Sequence, residues 1–168
     1  MERSKKVIFV SHCILNQNVK ALGRERSPGP VKELLELFAE ADVGIVQIPC
    51  PQIDYNGGLN RKPKSKEEYD NKAYRAACKK LSAALLKQIE DYIAKKYSVV
   101  GILGVEFSPS CAVHQLQNGN RNVPGKGIFM EELEAEMRKK RFQVPIVGVN
   151  LSNLFSTSEK VQSLLNYS

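Results

Sequence analysis

The sequence predicts an α/β fold, a three-layer Rossmann-like (flavodoxin-like) parallel sheet with helices on both faces. Three observations lead there. Four short runs, residues 7–10, 43–48, 99–105 and 144–149, are rich in Val and Ile and continuously apolar, as strands covered on both faces are. Amphipathic patterns at helical spacing separate them. Strand and helix therefore alternate, and that order builds a parallel sheet through right-handed crossovers.

The first strand, 7–10, runs into the polar segment Ser11-His12-Cys13-Ile14-Leu15-Asn16. Pro30 suits a helix start, and Val31, Leu34, Leu35, Leu37 and Phe38 follow at helical intervals. The second strand exits through Pro49-Cys50-Pro51-Gln52. From 66 to 96, the stripe Tyr69, Ala73, Ala77, Leu81, Leu85, Ile89 and Tyr92 on a Lys- and Glu-rich background reads as one long surface helix. The third strand leaves through Phe107-Ser108-Pro109-Ser110-Cys111. A third helix spans 129–140, acidic early and basic late as the helix dipole favours, and the run 144–149 supplies a fourth strand. At 168 residues, one domain over 1–168 accounts for the chain and can bury ~70% of its unfolded surface. No repeat, linker or low-complexity segment interrupts it.

Lys and Arg number 25 against 18 Asp and Glu, a formal charge of +7. The basic residues are scattered among acids along helical segments. The densest group, Arg138-Lys139-Lys140-Arg141, lies at a helix C-terminus. There is no Trp, and no stretch interleaves basic and aromatic residues into a base-stacking surface. Specific nucleic-acid binding is not expected, and attraction of an anionic small molecule is the better use of the charge. No segment reaches the ~20 apolar residues a membrane span needs. The N-terminal residues show no signal-peptide pattern, so a cytoplasmic location is expected. Composition says nothing about oligomeric state.

In a reducing compartment four cysteines point to metal binding, redox chemistry or core packing. Cys13, Cys50 and Cys111 each follow a different strand, in loops containing Pro or Ser. Ligands of open parallel sheets bind outside the carboxyl ends of the strands, where these three should meet. Cys78 differs, lying mid-helix on the face of Leu81, Leu85 and Ile89, and reads as core. Three thiolates suit zinc with His12 or His114 as the fourth ligand, or an iron–sulfur cluster. The paired C-x₂₋₄-C spacing of structural zinc sites is missing. Single cysteines from separate loops suit a preassembled cluster better, and three ligands leave one iron of four open as a Lewis acid. A cysteine-hydrolase dyad with His12 or His114 stays open as well. Other chemistries fail on spacing. The positions six after the three cysteines are Val19, Asn56 and Gln117, so no phosphatase loop exists. Gly119 and Gly125 enclose five residues, and Lys126 is followed by Gly127, which breaks a Walker A loop.

Ser11-His12-Cys13, the segment from Cys50 through Gln52, Gly57 and Gly58 to Leu59 with Pro63 after it, Ser108-Pro109-Ser110-Cys111, and Val123-Pro124-Gly125-Lys126-Gly127 occur in that order. Over nearly the whole chain this arrangement resembles the thiouracil desulfidase (TudS-like) family. The resemblance implies a [4Fe–4S] cluster held by Cys13, Cys50 and Cys111. It also implies an open iron that takes the sulfur of a thiolated nucleobase or similar small thiocarbonyl compound, so that water replaces the sulfur and sulfide leaves. Iron is thiophilic, which makes that chemistry reasonable. Three positions depart from the family pattern: Gln52 stands where Glu is usual, Ala112 where Gly is usual, and Asn16 where Gly is common. An amide cannot exchange protons at neutral pH. Glu106, Ser108 and Ser110 are therefore the catalytic candidates, with His12, Asn16, Gln52, Gly57 and Gly58 toward the substrate. The alternatives are a non-catalytic zinc or iron–sulfur protein and a cysteine-dependent hydrolase.

Overall fold

A computed structural model of the chain describes residues 1–55 and 57–166. Strands β1 (Lys6–Ser11), β2 (Gly44–Ile48), β3 (Ser98–Val105) and β6 (Ile146–Val149) form one parallel sheet in the order β2-β1-β3-β6. This is the Rossmann-like arrangement expected from the alternating pattern. Side chains of β1 alternate between two cores, as a strand requires. Val7 and Phe9 pack with α4 (Lys72–Ala94) and α5 (Ile128–Lys139), while Ile8 and Val10 pack with α2 (Lys32–Glu40) and α6 (Leu154–Asn166). Both layers are needed because every β1 residue from Ile8 to Val10 is fully buried. Burial of each such side chain stabilises the fold by roughly 1.5–3 kcal/mol.

Four features differ from the sequence expectation. Residues 66–96 form two helices, not one: α3 (Lys66–Tyr69) and α4. Ser65 and Glu68 make a capping box on α3, and Asn71 turns extended (φ −139°) to cap α4 by accepting from the Tyr74 amide. The apolar stripe runs on through this break, which hid it. Helix α2 starts at Lys32, two residues past Pro30. A hairpin of β4 (Gln115–Asn118) and β5 (Arg121–Pro124), absent from the expectation, turns at Gly119, where φ is +62°. Its two-residue loop Gly119-Asn120 is a standard hairpin signal. The C-terminal α6 was also not anticipated. Its buried residues are Thr157, Val161 and Leu165, one apolar position per turn in a Ser-rich stretch, which is a weak pattern.

Candidate metal centre

Register determines where the cysteines go. Ser11 of β1 pairs with Ile48 of β2, and Cys13 and Cys50 each lie two residues beyond that pair. The two thiols thus leave neighbouring strands at the same level. Cys13 sits in the short helix α1 (His12–Leu15), whose Cys13 carbonyl accepts from Gln17 Nε2 at 2.7 Å. Cys111 arrives by a different route. Phe107 takes a left-handed conformation (φ 71°), turning the chain back over its own strand. The Cys111 carbonyl then accepts from the Val105 amide at 2.9 Å. Ser108 Oγ accepts from the amides of Ser110 (3.2 Å) and Cys111 (3.0 Å), and Glu106 Oε1 accepts from those of Val113 (2.8 Å) and His114 (2.9 Å). Two glycines allow the loop so close. A Cβ at Gly104 would lie 2.4 Å from the Cys111 oxygen, and one at Gly127 would lie 2.2 Å from the Ser110 carbonyl carbon.

The three cysteines line one cavity of about 140 Å³ at the carboxyl end of the sheet, between β1 and its neighbours. None is in a disulfide, and all three are partly buried. Burial raises the Cys13 thiol pKa, the neighbouring Cys50 raises it further, and the charges of Lys20 and Arg61 oppose the rise. Burial likewise raises Cys111 well above its ordinary value, with Cys50 and Cys13 adding to it and a hydrogen bond from Ser11 opposing. The sulfurs are therefore electrostatic neighbours. Cys78 is fully buried in the helical layer, away from the cavity, and burial pushes its thiol up to about 12.

One wall is a buried polar network. Gln52 Oε1 accepts from Arg61 Nε (3.1 Å), Arg61 Nη2 (2.9 Å) and the Tyr69 hydroxyl (3.2 Å). Its Nε2 donates to Ser110 Oγ at 2.8 Å, and Ser110 Oγ meets the Tyr74 hydroxyl at 2.6 Å. Burial drives the Tyr74 phenol far above its ordinary pKa, so it stays protonated. With the Gln52 oxygen and nitrogen both committed, the amide cannot flip without breaking four bonds. His12 is also in the wall, and its Nδ1 pairs with Gln47 Oε1.

The cavity brings together Cys13, Cys50, Cys111, His12, Gln52, Glu106, Ser108 and Ser110. Asn16 lies outside it, with Oδ1 accepting from the Asn18 amide and side chain. Gly57 (φ 86°) and Gly58 (φ 65°) also lie outside and shape the turn before Arg61. Asn56, which precedes them in the motif, falls outside the described residues. His114 is exposed and away from the wall. Sequence reasoning missed Arg61, Tyr69 and Tyr74. Arg61 sits among Lys62, Lys64 and Lys66 and looks like one more solvated cation, Tyr69 looks like helix stripe, and Tyr74 lies outside that stripe. Lys20, Arg24 and Arg26 also reach the cavity, from the loop after α1.

No family model matches the chain. The uncharacterized protein MJ0003 of Methanocaldococcus jannaschii is 37% identical over 164 residues, covering 95% of this chain and 98% of that protein. Among solved structures, the [4Fe-4S]-dependent thiouracil desulfidase TudS superposes with a TM-score of 0.53 over 95% of this chain and 99% of its own, at 23% identity. At that identity the likeness is one of fold.

Proposed function

For this chain, which belongs to the family of the uncharacterized protein MJ0003, we propose a desulfidase activity: Cys13, Cys50 and Cys111 would hold a [4Fe–4S] cluster, and water would replace the sulfur of a small thiocarbonyl compound bound in the cavity, the sulfur leaving as sulfide. One observation carries the proposal. Three thiols from three separate strand exits line a single cavity whose wall also holds polar side chains. The shared fold with a protein described as a [4Fe-4S]-dependent thiouracil desulfidase supports it.

The donor set fits such a cluster better than zinc. A single zinc ion needs four donors within about 2.3 Å of one point. Among the described residues, no three or more His, Cys, Asp or Glu side chains are arranged to hold a metal ion. His114 is exposed and outside the wall, and His12 is engaged with Gln47. Cysteines around a cubane bind different irons and need no common point. When bound, the cluster supplies a thiophilic Lewis acid.

The chain's own residues do the rest. Ser110 Oγ accepts from Gln52 Nε2 and shares a hydrogen bond with the Tyr74 hydroxyl. Held there in the cavity wall, it positions a substrate heteroatom or a water. Ser108 holds the loop that carries Cys111. Glu106 uses Oε1 on two loop amides, which leaves Oε2 as the oxygen for moving a proton. His12 and Gln52 sit in the wall where a substrate ring would rest.

Anaerobic reconstitution followed by iron and sulfide analysis tests the reading. We expect about four irons per chain, loss of nearly all of them in Cys50→Ser, and sulfide release from 2-thiouracil or a related thiocarbonyl compound. Stoichiometric zinc in place of iron would sink the cluster. A stable cluster with no sulfide release from any thiocarbonyl compound would instead leave a non-catalytic metal protein.

A further inference from the structure

We propose that Arg61 is a buried counter-charge of the metal centre, left unneutralised because its partner at position 52 is an amide. This rests on the cluster reading above. Arg61 is only 8% exposed. Its guanidinium donates to Gln52 Oε1 through Nε and Nη2, to the Val19 carbonyl at 2.7 Å and to the Gly58 carbonyl at 3.4 Å. Every acceptor is neutral. No carboxylate lies within ion-pair distance among the described residues. A buried charge without an opposite charge is costly, and proteins pair or coordinate such groups.

The partner that fits is anionic and sits in the cavity. Arg61 shares the wall with Cys13, Cys50 and Cys111, and among the described residues the only acid in that wall is Glu106, whose Oε1 is spent on loop amides. The anionic cluster that these three cysteines would hold supplies the missing negative charge. Gln52 makes this arrangement available. Its oxygen collects three hydrogens, as a carboxylate would, yet adds no charge. A carboxylate at position 52 could accept the same three hydrogens and a fourth from Ser110, but it would cancel the guanidinium. Net charge and hydrogen bonding near a cluster set its reduction potential. The Arg61–Gln52 pair therefore holds the centre at a higher potential than an Arg–Glu pair in the same geometry.

The test compares the anaerobically reconstituted full chain with Gln52→Glu, Arg61→Gln and Gln52→Met by dye-mediated redox titration, with iron content measured beside each. Gln52→Glu adds a negative charge and Arg61→Gln removes a positive one. Both should shift the reduction equilibrium at least tenfold toward the oxidised cluster, about 59 mV for a one-electron couple. Gln52→Met breaks the hydrogen bonds but keeps the charge, so its equilibrium should stay within about threefold of wild type even where thermal stability falls. A purely structural role predicts the reverse, with Gln52→Met shifted and Gln52→Glu at the wild-type potential, and that result overturns the counter-charge alone. Should Arg61→Gln fail to fold, the two position-52 variants still decide. A wild-type chain that takes up no iron overturns the cluster reading and this inference with it.

Discussion

Cys78 and Cys50 show how placement decides what one side chain does. Both are free thiols, but Cys78 is enclosed by the α4–α5 core and Cys50 stands in a polar cavity wall. Cys78→Ser would bury a hydroxyl among Leu85, Leu86 and Ile89, the same apolar core. Its cost is about 1 kcal/mol or more, lowered only if the new hydroxyl finds a helix carbonyl as Ser82 does with Cys78 at 2.8 Å. The expected outcome is a lower urea midpoint with iron content unchanged. Loss of iron as complete as in Cys50→Ser would contradict the assignment of Cys78 to the core. Tyr74 makes the same point from the polar side. Its phenol is buried beside the Cys111 loop and stays protonated, so it holds Ser110 through a hydrogen bond and does not act as a base.

The break between α3 and α4 is the element-scale feature that shapes the cavity, since α3 carries Tyr69 to Gln52 while α4 carries Tyr74 to Ser110. Asn71 makes the break by capping α4, and its Oδ1 also accepts from the Tyr55 hydroxyl at 2.8 Å. Arg75 ties the junction together, bonding Asp70 through Nε and Nη2 and reaching Glu131 and Glu132 of α5. Asn71→Ala should cost about 1 kcal/mol in a denaturant melt through the lost cap. Asp70 gives a pH dependence. The hydrogen bond from Arg75 holds its carboxyl below the usual range. A depressed pKa stabilises the fold above the unfolded value, and the contribution fades as pH falls through the folded one. The pair is largely exposed, so Asp70→Asn should lose only about 0.5 kcal/mol at neutral pH. The gap to wild type should narrow as the pH drops below ~4. A gap that persists or widens in acid would rule out the Asp70–Arg75 pair as its source.

Across the whole molecule, the site depends on segments remote in sequence meeting on one edge of the sheet. The Cys111 loop is clasped between β3, where Gly104 makes room, and the start of α5, where Gly127 donates its amide to the Ala112 carbonyl at 3.0 Å. The β4–β5 hairpin fills the chain between them, with the Gly125 amide bonded to the His114 carbonyl at 2.9 Å. Gly127→Ala should therefore cost about 1–3 kcal/mol through overpacking and weaken iron retention by displacing the Ser110–Cys111 backbone, although residue 127 does not itself line the cavity. Calorimetry and iron analysis on one preparation check both parts. A variant that melts like wild type would mean the loop has room that the backbone spacing denies.

The layered α/β architecture was legible because strand and helix periods are local properties. The four apolar runs became the four strands within a residue or two, and the α2 and α5 patterns became helices. The cysteine positions were legible for a related reason: each follows a strand, and a parallel sheet puts all such exits on one edge. Elements with weak or masked periods were not legible. The stripe from Tyr69 to Tyr92 is continuous across the Asp70–Asn71 break, and α6 buries few apolar side chains. Least legible was the polar wall. Gln52, Arg61, Tyr69, Tyr74 and Ser110 come from four separate segments, and nothing local distinguishes Arg61 from the lysines beside it. Local propensity depends on neighbours in the chain, whereas burial and hydrogen-bond partners depend on distant segments that only folding brings together. The sequence by itself therefore determined the layers and the edge where the thiols gather. Only the tertiary structure decided which charge is buried there, which amide holds it, and which hydroxyls face the cavity.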